Sequence, residues 1–565
     1  MRRRRLSLAA GATVACKPDG PFFARRAHRL LEANPLGHDP GPAAKRIRQR
    51  TSTCLGHLFV TGTAEKSFGA WDVQRAPIDS CFLVSRTSFR CHYLEGRILD
   101  FDRFVEILQC PACRGALSFK AKAHQESHGR FGVLSCHCSK FPVVDDVPII
   151  MSDTSSVGVI PHWNDGVVHM GPTIRELVSA VESGATSEVL MNCLEFPRKY
   201  PLQGRLTGAG IWPVKAGERA GLAHTRAGLR KLIAGRFSKR TQASDVFNFF
   251  HHRRSGNDPH LAEYMTNRFT MPRYLSAMSL AQRLPASDRP VLDIACGFGH
   301  FAHYFTKRSR ATPAVGVDLN FYQAWGAKKW VAPDGWFVCC DASKPLPLKS
   351  DSCSGVTCSD AFMLLPEKRM IVDEVERVAP GRPAVYARVG NRQVGPPNPP
   401  HGGEMTPDEY WDLFGRGNSR YFADVALWKD YLMRRNPLDS GPVPLQDLRW
   451  EKYLTYVVHP EKLGEGESGW AHGVGHLRLN PALTIKQDLP DALVTEFMFK
   501  SAWMAYEDAD MMAYTERGST ISKADLRRAF NEPDGKTAES LLGRFILVGL
   551  PDAYIPAVEQ VEVAA

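Results

Sequence analysis

The feature that most constrains the fold is an apolar strand followed at once by a glycine turn. The stretch RPVLDIACGFGHFAHYF, residues 289–305, has a buried-strand pattern, then Gly297 and Gly299, then a helix-like pattern. Glycine lets the backbone approach a ligand closely, and the N-terminus of the following helix offers N–H groups and a positive partial charge. The stretch therefore predicts a strand–turn–helix unit that binds a nucleoside ligand. Gly-Phe-Gly followed by Ala302 does not by itself identify the nucleoside ligand.

Alternating strand and helix patterns continue from this unit to about residue 390. The runs AVGVDLN, GWFVCC and AVYARV are typical of buried strands, and helix-like segments separate them. Strands that alternate with helices indicate a parallel sheet with helices on both faces. We therefore predict an α/β fold with a doubly wound, Rossmann-like sheet in this part of the chain.

Acidic residues near the ends of three strands narrow the choice of ligand. Asp293 lies four residues before the first glycine, where its carboxylate would repel a pyrophosphate. S-adenosyl-L-methionine (SAM) has no phosphate, and its amino group and cationic sulfonium favour a nearby carboxylate. Asp318 ends the next strand and can accept hydrogen bonds from ribose hydroxyls, although this acid alone would suit NAD equally well. Asp341 follows the third strand, where it can accept a hydrogen bond from an adenine amino group.

In combination these elements resemble a class I SAM-dependent methyltransferase, type 11-like. Residues 288–390 carry D-x-x-x-G-x-G, an acid, D-A, LPL…SD…LLP and E-x-x-R-V-x-x-P-G-R in the order and spacing of that family. The resemblance implies that Asp293, Gly297 and Gly299 surround the methionine end of SAM and that Asp318 binds the ribose. It likewise implies Asp341 and Ala342 at the adenine and Ser359 lining the pocket. Ala295 and Leu319 complete the set of implied cofactor-binding residues.

The sequence departs from the family pattern at several positions. Ala295 stands where the family most often has glycine, and Cys353-Ser354 replaces a frequent Phe-Asp. Met363-Leu364 replaces a His pair found in many relatives, which removes the obvious candidate base. Four nearby polar residues are interpreted as structural or solvated: His300, His303, Asp360 and His401. We therefore assign no catalytic base, which methyl transfer needs only when the acceptor must lose a proton.

Two cysteine pairs lie upstream of this region. The pairs are Cys110-x-x-Cys113 and Cys136-x-Cys138, with 22 residues between Cys113 and Cys136. Two close thiol pairs on either side of a hairpin suit a tetrahedral zinc ion. The stretch 104–152, with CPAC and the ending FPVVDDVPII, resembles the short zinc-ribbon family related to the activator subunit of tRNA methyltransferases. Fusion of such a ribbon to a methyltransferase domain is a recurring arrangement, so the two resemblances support each other.

The ribbon departs from its family in two ways. A single residue separates Cys136 from Cys138 instead of the usual two, and Asp146 stands where glycine is common. A metal-free ribbon and a redox pair therefore stay open as alternatives. A nearby histidine is a further alternative as ligand: His124, His128 or His137. If all four ligand positions are filled, the zinc is structural.

The net charge of +11 is concentrated at the N-terminus. The first 50 residues hold 12 Lys or Arg against three acids, so the rest of the chain is close to neutral. A basic tail can bind nucleic acid or anionic lipid, but the overall charge argues for neither. The opening MRRRRLSLAAGATVAC could be a secretion signal with Cys16 as a lipidation site, or a transit peptide. We interpret it instead as a disordered or over-extended N-terminus.

Cysteine usage and hydropathy favour a cytoplasmic protein without a membrane span. Several of the 14 cysteines fall in apparent core strands, whereas a large secreted chain would usually pair or avoid them. No window approaches 18 consecutive apolar residues. We predict five regions: a basic segment 1–100, a zinc ribbon 101–153, a linker with a helix 154–240, the methyltransferase domain 241–460 and a mainly helical C-terminal extension 461–565.

These observations predict a SAM-dependent methyltransferase that acts on a small-molecule or a lipid- or sugar-linked acceptor by in-line transfer. The near-neutral body of the chain favours that acceptor class. One alternative is an RNA methyltransferase whose ribbon and basic tail bind RNA, with affinity that falls steeply with added salt. Another is a non-catalytic scaffold whose ribbon activates a partner enzyme.

Overall fold

The computed structural model of the chain describes most residues between 101 and 554. The described ranges are 101–122, 129–157, 159–162, 166–169, 171–194, 226–235, 241–252, 259–308, 313–394, 403–441, 443–466, 469–500, 502–514 and 518–554. They belong to one compact unit, Ser85–Ala565. The expectations for residues 1–100 and for His124, His128 and His401 lie outside these ranges.

The first elements are a helix and a small antiparallel sheet that carries the cysteine pairs. They are α1 (101–107), β1 (Ser118–Lys122), β2 (Phe131–Ser135), β3 (Lys140–Val144) and β4 (Val147–Pro148). The strands pair in chain order, each antiparallel to the next. Asp145 and Asp146, between β3 and β4, have left-handed backbone with φ of 49° and 73°. This conformation favours glycine, which explains why glycine is common there in the ribbon family.

A hairpin and six helices connect this sheet to the central one. They are β5 (Val159–His162), β6 (Gly166–His169), α2 (Ile174–Glu182), α3 (Thr186–Leu194), α4 (226–235), α5 (Ala243–Phe247), α6 (Pro259–Asn267) and α7 (Pro272–Ala281). Helix α2 starts with a capping box, in which Thr173 Oγ1 accepts from Glu176 N–H and the Glu176 carboxylate accepts from Thr173 N–H. It buries Ile174, Leu177 and Val181.

A seven-stranded sheet forms the centre of the fold. Its elements in chain order are β7 (Val291–Ile294), α8 (His300–Arg308), β8 (Ala314–Asp318), α9 (Phe321–Gly326), β9 (Trp336–Cys339), β10 (Gly355–Ser359), α10 (Lys368–Val378), β11 (Ala384–Gly390), α11 (Pro407–Phe414), β12 (Ser419–Ala423), α12 (Asp424–Leu432), α13 (Leu445–Leu448) and β13 (Tyr453–Val458). The spatial order is β12-β13-β11-β10-β7-β8-β9. Strand β13 is antiparallel to both of its neighbours, and the other pairs are parallel.

Two apolar clusters lie on opposite faces of this sheet. Successive strand residues alternate between them, as Val291 and Leu292 do. Helices α7, α8, α9 and α12 contribute to one cluster, and α1, α10 and α11 contribute to the other. The doubly wound α/β fold that the sequence predicts is therefore confirmed. The antiparallel β13, inserted between β11 and β12, distinguishes the sheet from the all-parallel 3-2-1-4-5-6 order of dinucleotide-binding folds.

The small sheet continues the central sheet at its outer edge. Strand β9 is the edge strand, and Ile150 N–H donates to Cys339 O at 2.9 Å. Gln109 N–H donates to Pro347 O at 3.1 Å, on the segment that follows β9. The Phe104 ring stacks on Trp336 with 5.2 Å between ring centroids. The edge of a sheet offers unpaired backbone groups, and here the chain covers that edge itself.

Buried polar contacts hold the turn between β3 and β4 against the central fold. Lys329 Nζ lies 2.8 Å from Asp145 Oδ1 and 3.1 Å from Asp146 Oδ2. Trp325 Nε1–H donates to Asp145 Oδ2 at 2.7 Å, and the Arg130 backbone N–H donates to Asp146 Oδ1 at 2.9 Å. Asp146, at a position where glycine is common in the ribbon family, thus supplies a buried ion pair between the small sheet and the helical segment 327–331 after α9.

The C-terminal part contains strands as well as helices. They are β14 (His476–Leu479), β15 (Leu483–Asp488), β16 (Ala492–Phe497), α14 (Ala502–Glu507), β17 (Gly518–Ser522), α15 (Lys523–Asn531), α16 (Lys536–Gly543) and β18 (Leu547–Leu550). Strands β15–β17 form an antiparallel sheet, and β14 pairs with β18. The extension over 461–565, for which the sequence predicts mainly helices, therefore also holds five strands. Strand β14 has only four residues, and β15 is largely exposed, so these two strands carry little of the apolar alternation that signals a strand.

None of the helices in the described ranges has the length and apolar character that crossing a bilayer requires. The boundaries of the five predicted regions stay a prediction.

We expect Lys329→Met to destabilise the full chain by about 3–5 kcal/mol, because it removes the cation beside the buried Asp145 carboxylate and leaves Asp146 paired with Arg130. The urea midpoint of unfolding measures this effect. A matched control is Lys307→Met, since Lys307 pairs with Asp334 in an exposed ion pair that contributes about 1 kcal/mol or less. Equal shifts in the two variants would contradict a structural role for the buried ion pair.

Candidate functional site

Most of the residues implied as cofactor-binding lie along one edge of the central sheet. Asp293 lies near the carboxyl end of β7, Asp318 ends β8, and Ser359 ends β10. Asp341 and Ala342 follow β9. Strands β8 and β9 lie on one side of β7 and β10 lies on the other, so this edge holds the point at which the strand order reverses. Open α/β sheets bind ligands at such a point.

The turn after β7 has left-handed backbone at three residues. The φ angles of Ala295, Gly297 and Gly299 are 53°, 53° and 75°. A Cβ on Gly299 would lie 2.9 Å from the Cβ of Ala327, so only glycine fits there. A Cβ on Gly297 would meet only the end of the Met265 side chain, 3.7 Å away. Ala295, which replaces the family's usual glycine, adopts a conformation that is unfavourable for an L-residue.

Asp318 joins this turn to the neighbouring strand. Its Oδ2 accepts from Gly297 N–H at 2.9 Å, and its Oδ1 accepts from Asn320 N–H at 2.8 Å. The side chain is buried, and burial raises its pKa to about 6. The loop after β9 is also held at the end of β8, because Cys340 N–H donates to Asp318 O at 2.9 Å. Leu319 O accepts from the Cys339 thiol at 3.4 Å.

Asp293 is the most buried of the three acids, with 2% of its surface exposed. Its Oδ1 accepts from the Thr357 hydroxyl on β10 at 2.9 Å. Within the described ranges no hydrogen-bond donor reaches its other oxygen, Oδ2. Burial raises the pKa of this carboxyl to about 7. Sequence reasoning missed Thr357, because a threonine in a buried strand carries no distinguishing signal.

Residues 259–270, the cover segment, lie over this edge. Met265 and Arg268 of this segment are buried. Met265 O accepts from the hydroxyl of Tyr554, which comes from the C-terminal part of the chain. Arg268 Nη2–H donates to Ser359 Oγ at 3.1 Å. The cover segment therefore contacts the glycine turn through Met265 and the end of β10 through Arg268.

A buried ion network continues from the cover segment along the ends of β10 and β11. Its members are Arg268, Arg273, Arg388, Asp360, Asp424, Glu507 and Asp508. Asp360 lies at its centre, and the charges of Arg388, Arg273 and Arg268 outweigh burial and hold the pKa of this carboxyl well below its usual range. Sequence analysis named Asp360 but not the arginines, which are isolated in sequence.

The two histidines after the glycine turn are buried and neutral. His300 Nε2 lies 3.1 Å from Met265 O and 3.0 Å from the Tyr554 hydroxyl. Burial lowers the pKa of His300 to about 3 and that of His303 to about 4. These surroundings are those of structural histidines, in line with the interpretation from sequence.

The four cysteines form a separate cluster in the small sheet. Their sulfur atoms all lie within 4.8 Å of one another. The distances are 3.6 Å for Cys110–Cys138, 3.7 Å for Cys113–Cys136 and 3.5 Å for Cys136–Cys138. Four sulfurs about 2.3 Å from a tetrahedral zinc ion lie about 3.8 Å apart. The one-residue gap between Cys136 and Cys138 is therefore compatible with tetrahedral geometry, and His137 is not part of the cluster.

Comparison with protein families assigns the central sheet to a class of enzyme. Residues 292–381 match the family model described as a methyltransferase domain. This range runs from β7 through the glycine turn to the end of α10. The chain therefore contains a methyltransferase domain, and this domain has a Rossmann-like fold.

Several solved structures are similar to part of the chain. The YcgJ protein of Bacillus subtilis has 22% identity over 26% of this chain and 69% of its own, with a TM-score of 0.22. A complex of the Haloferax volcanii Trm112 methyltransferase activator with a candidate methyltransferase has 18% identity. The match covers 33% of this chain and 90% of that one, with a TM-score of 0.25. The plantazolicin methyltransferase BpumL, in complex with SAH, has 15% identity. The match covers 41% of this chain and 98% of that one, with a TM-score of 0.27. No curated protein sequence matches the chain.

Proposed function

We propose that the enzyme binds SAM at the carboxyl edge of β7, β8, β9 and β10 and transfers its methyl group in line to a small-molecule or a lipid- or sugar-linked acceptor. The observation that carries this proposal is the Asp293 carboxylate. One of its oxygens is buried beside a left-handed glycine turn, and no donor from the described residues reaches it. Burying an unpaired carboxylate is costly. A cationic ligand end, such as the ammonium of SAM, compensates for that cost.

The surrounding residues suit the remainder of a nucleoside. Ala295, Gly297 and Gly299 keep side chains away from the turn, so the backbone can approach the ligand. A carboxylate has about four lone-pair sites, so Asp318 can accept from ribose hydroxyls as well as from its two backbone donors. We assign the remaining contacts, to the adenine and the pocket wall, to Leu319, Asp341, Ala342 and Ser359.

The main contribution of the protein to the reaction is to position the reacting groups and to exclude water from them. SAM supplies a methyl group on a sulfonium, which a nucleophile attacks in line. The cover segment and the glycine turn hold the reacting groups in a dry site, which converts a bimolecular step into a local one. His300 and His303 are engaged in buried contacts and neutral, and we assign no catalytic base.

Enclosure of the site favours a small acceptor over a polymer. The ends of β10 and β11 are covered by residues of the chain itself, including Asp424 and Asp508, which are 2% and 1% exposed. An RNA acceptor needs an open, positively charged groove. The arginines along this edge are instead paired with carboxylates.

Methyl-labelled SAM tests the proposal. We expect the purified chain, incubated with cell extract, to transfer label to small organic molecules or to lipid- or sugar-linked acceptors. Asp318→Ala and Asp341→Ala should abolish labelling without unfolding the protein, as circular dichroism can check. Label found in RNA and lost at high salt would establish the RNA alternative instead. Labelling that survives both substitutions would rule out the assigned pocket.

The affinity for SAM should rise between pH 6 and 7.5. The pKa of Asp293 is raised to about 7 by burial, so its carboxyl is mostly protonated at pH 6, and a cationic ligand prefers the ionised form. Ionisation of a group with this pKa predicts a roughly eightfold gain in affinity over the interval. Calorimetric titration measures it. Asp293→Asn should remove most of the pH dependence of the SAM affinity, and the control Asp341→Asn should retain it. If the affinity of Asp293→Asn still rises with pH as in the wild type, the pH dependence belongs to another group.

We further propose that the four-cysteine cluster binds a structural zinc ion. The sulfur–sulfur distances of 3.5–3.7 Å support this proposal. The cluster lies in the small sheet that continues the edge of the central sheet at β9. With four thiolate ligands the ion has no open position for a substrate, so its contribution is to stability.

We expect the purified chain to contain equimolar zinc by elemental analysis. Cys110→Ser or Cys138→Ser should lose the metal and lower the melting temperature, because metal binding and folding are coupled in such sites. The matched control is His137→Ala, which should keep the metal. Zinc retained by Cys138→Ser but lost from His137→Ala would identify His137 as the fourth ligand.

A further inference from the structure

Arg268 is a buried cation of the cover segment that contacts the predicted cofactor edge. It lies in the turn Arg268–Thr270 after α6 and is 4% exposed. Its Nη2–H donates to Ser359 Oγ at 3.1 Å, and its Nη1–H donates to Asp360 Oδ2, also at 3.1 Å. The guanidinium also lies over the Tyr264 ring, 4.7 Å from its centroid. A guanidinium has five N–H groups in a rigid fork, and these bonds use two of them.

The register of the central sheet brings Arg268 close to Asp293. Asp293 pairs with Thr357 across β7 and β10, and its carboxylate accepts from the Thr357 hydroxyl. Ser359 comes two residues after Thr357 and ends β10. Its hydroxyl accepts the hydrogen bond from Arg268 at the same edge of the sheet. Burial raises the pKa of Asp293, and the positive charge of Arg268 acts against that rise. The Asp293 carboxylate near the end of β7 and the Arg268 guanidinium beside the end of β10 are therefore buried near each other.

At the methionine end of SAM, a positive ammonium group and a negative carboxylate group are bonded to the same carbon atom. Its ammonium is the cation that we assigned to Asp293, and its carboxylate needs a cationic partner when it is buried. Arginine suits that partner, because its planar fork matches a carboxylate.

Three arginines belong to the buried ion network, and they differ in what they contact. Arg273 Nε lies 3.1 Å from both oxygens of Asp508. Arg388 lies against Asp424 and Glu507, with its guanidinium 3.7 Å from the centroid of the Tyr453 ring. Arg268 is the member that donates to a residue of the predicted cofactor pocket, Ser359.

We propose that Arg268 binds the carboxylate of the methionine part of SAM and that Asp360 positions the Arg268 guanidinium for this contact. The inference rests on the proposed cofactor site and extends it by one binding residue on the cover segment. It makes the cover segment part of cofactor recognition, because the segment supplies the partner for one of the two charges at the methionine end.

Decarboxylated SAM tests the proposal, because it keeps the adenine, ribose, sulfonium and amino group and lacks only the carboxylate. We expect the wild-type chain to bind SAM about 10- to 100-fold more tightly than decarboxylated SAM, the range of a hydrogen-bonded charge pair. Arg268→Gln should bind both compounds with equal affinity, close to the wild-type affinity for decarboxylated SAM. Calorimetric titration of the full chain gives all four values.

The matched control is Arg273→Gln, which removes another buried cation from the same ion network. It should keep the wild-type preference for SAM, whatever its effect on stability. Arg268→Lys retains the charge without the fork and should show an intermediate preference, which covers the case in which the Gln variant does not fold.

Two results would overturn the assignment of Arg268. One is a wild-type chain that binds both compounds equally, and the other is an Arg268→Gln variant that weakens both compounds by the same factor. Failure of the wild-type chain to bind either compound would instead overturn the proposed cofactor site, and the Arg268 assignment with it.

Discussion

The hydrogen bond from Gly297 N–H to Asp318 is the interaction on which the geometry of the carboxyl edge depends. It ties the turn after β7 to the end of β8, while Asn320 N–H engages the other oxygen of the same carboxylate. The turn can reach Asp318 because Ala295, Gly297 and Gly299 have left-handed backbone. Two loops are thereby held together, and the acid at the end of β7 stays buried between them. In the cofactor site that we propose, charged groups thus lie beside the glycine turn.

The small cysteine-bearing sheet is an extension of the same architecture. Its last residues pair with β9, the edge strand of the central sheet, and the helix before it packs on Trp336. The turn Asp145–Asp146 adds a buried ion pair with Lys329. The aspartate at position 146 adopts a conformation that glycine would adopt with less strain, so its side chain offsets the backbone strain by pairing with a cation. The sheet is thus a structural part of the methyltransferase fold and covers an otherwise open edge.

The cover segment and the C-terminal part enclose the other end of the strands. Tyr554 bonds to Met265 O, and Asp508 bonds to Arg273, so residues distant in sequence close the site together. Ions buried in this way are stable only with their partners. The seven charged groups of the buried ion network therefore fix the position of the cover segment relative to β10 and β11. This arrangement is the physical basis for assigning part of cofactor recognition to Arg268.

Local patterns in the sequence determined the strand–turn–helix unit at residues 289–305, the acids near three strand ends, helix α2, and the two thiol pairs. Each of these signals lies within a few residues, where periodicity, glycine and spacing act directly. Tertiary structure alone decided that β13 runs antiparallel, that the C-terminal part contains strands, that Thr357 meets Asp293, and that Arg268 lies beside Ser359. These features depend on contacts between residues far apart along the chain. Packing selects such contacts, and no local pattern records them.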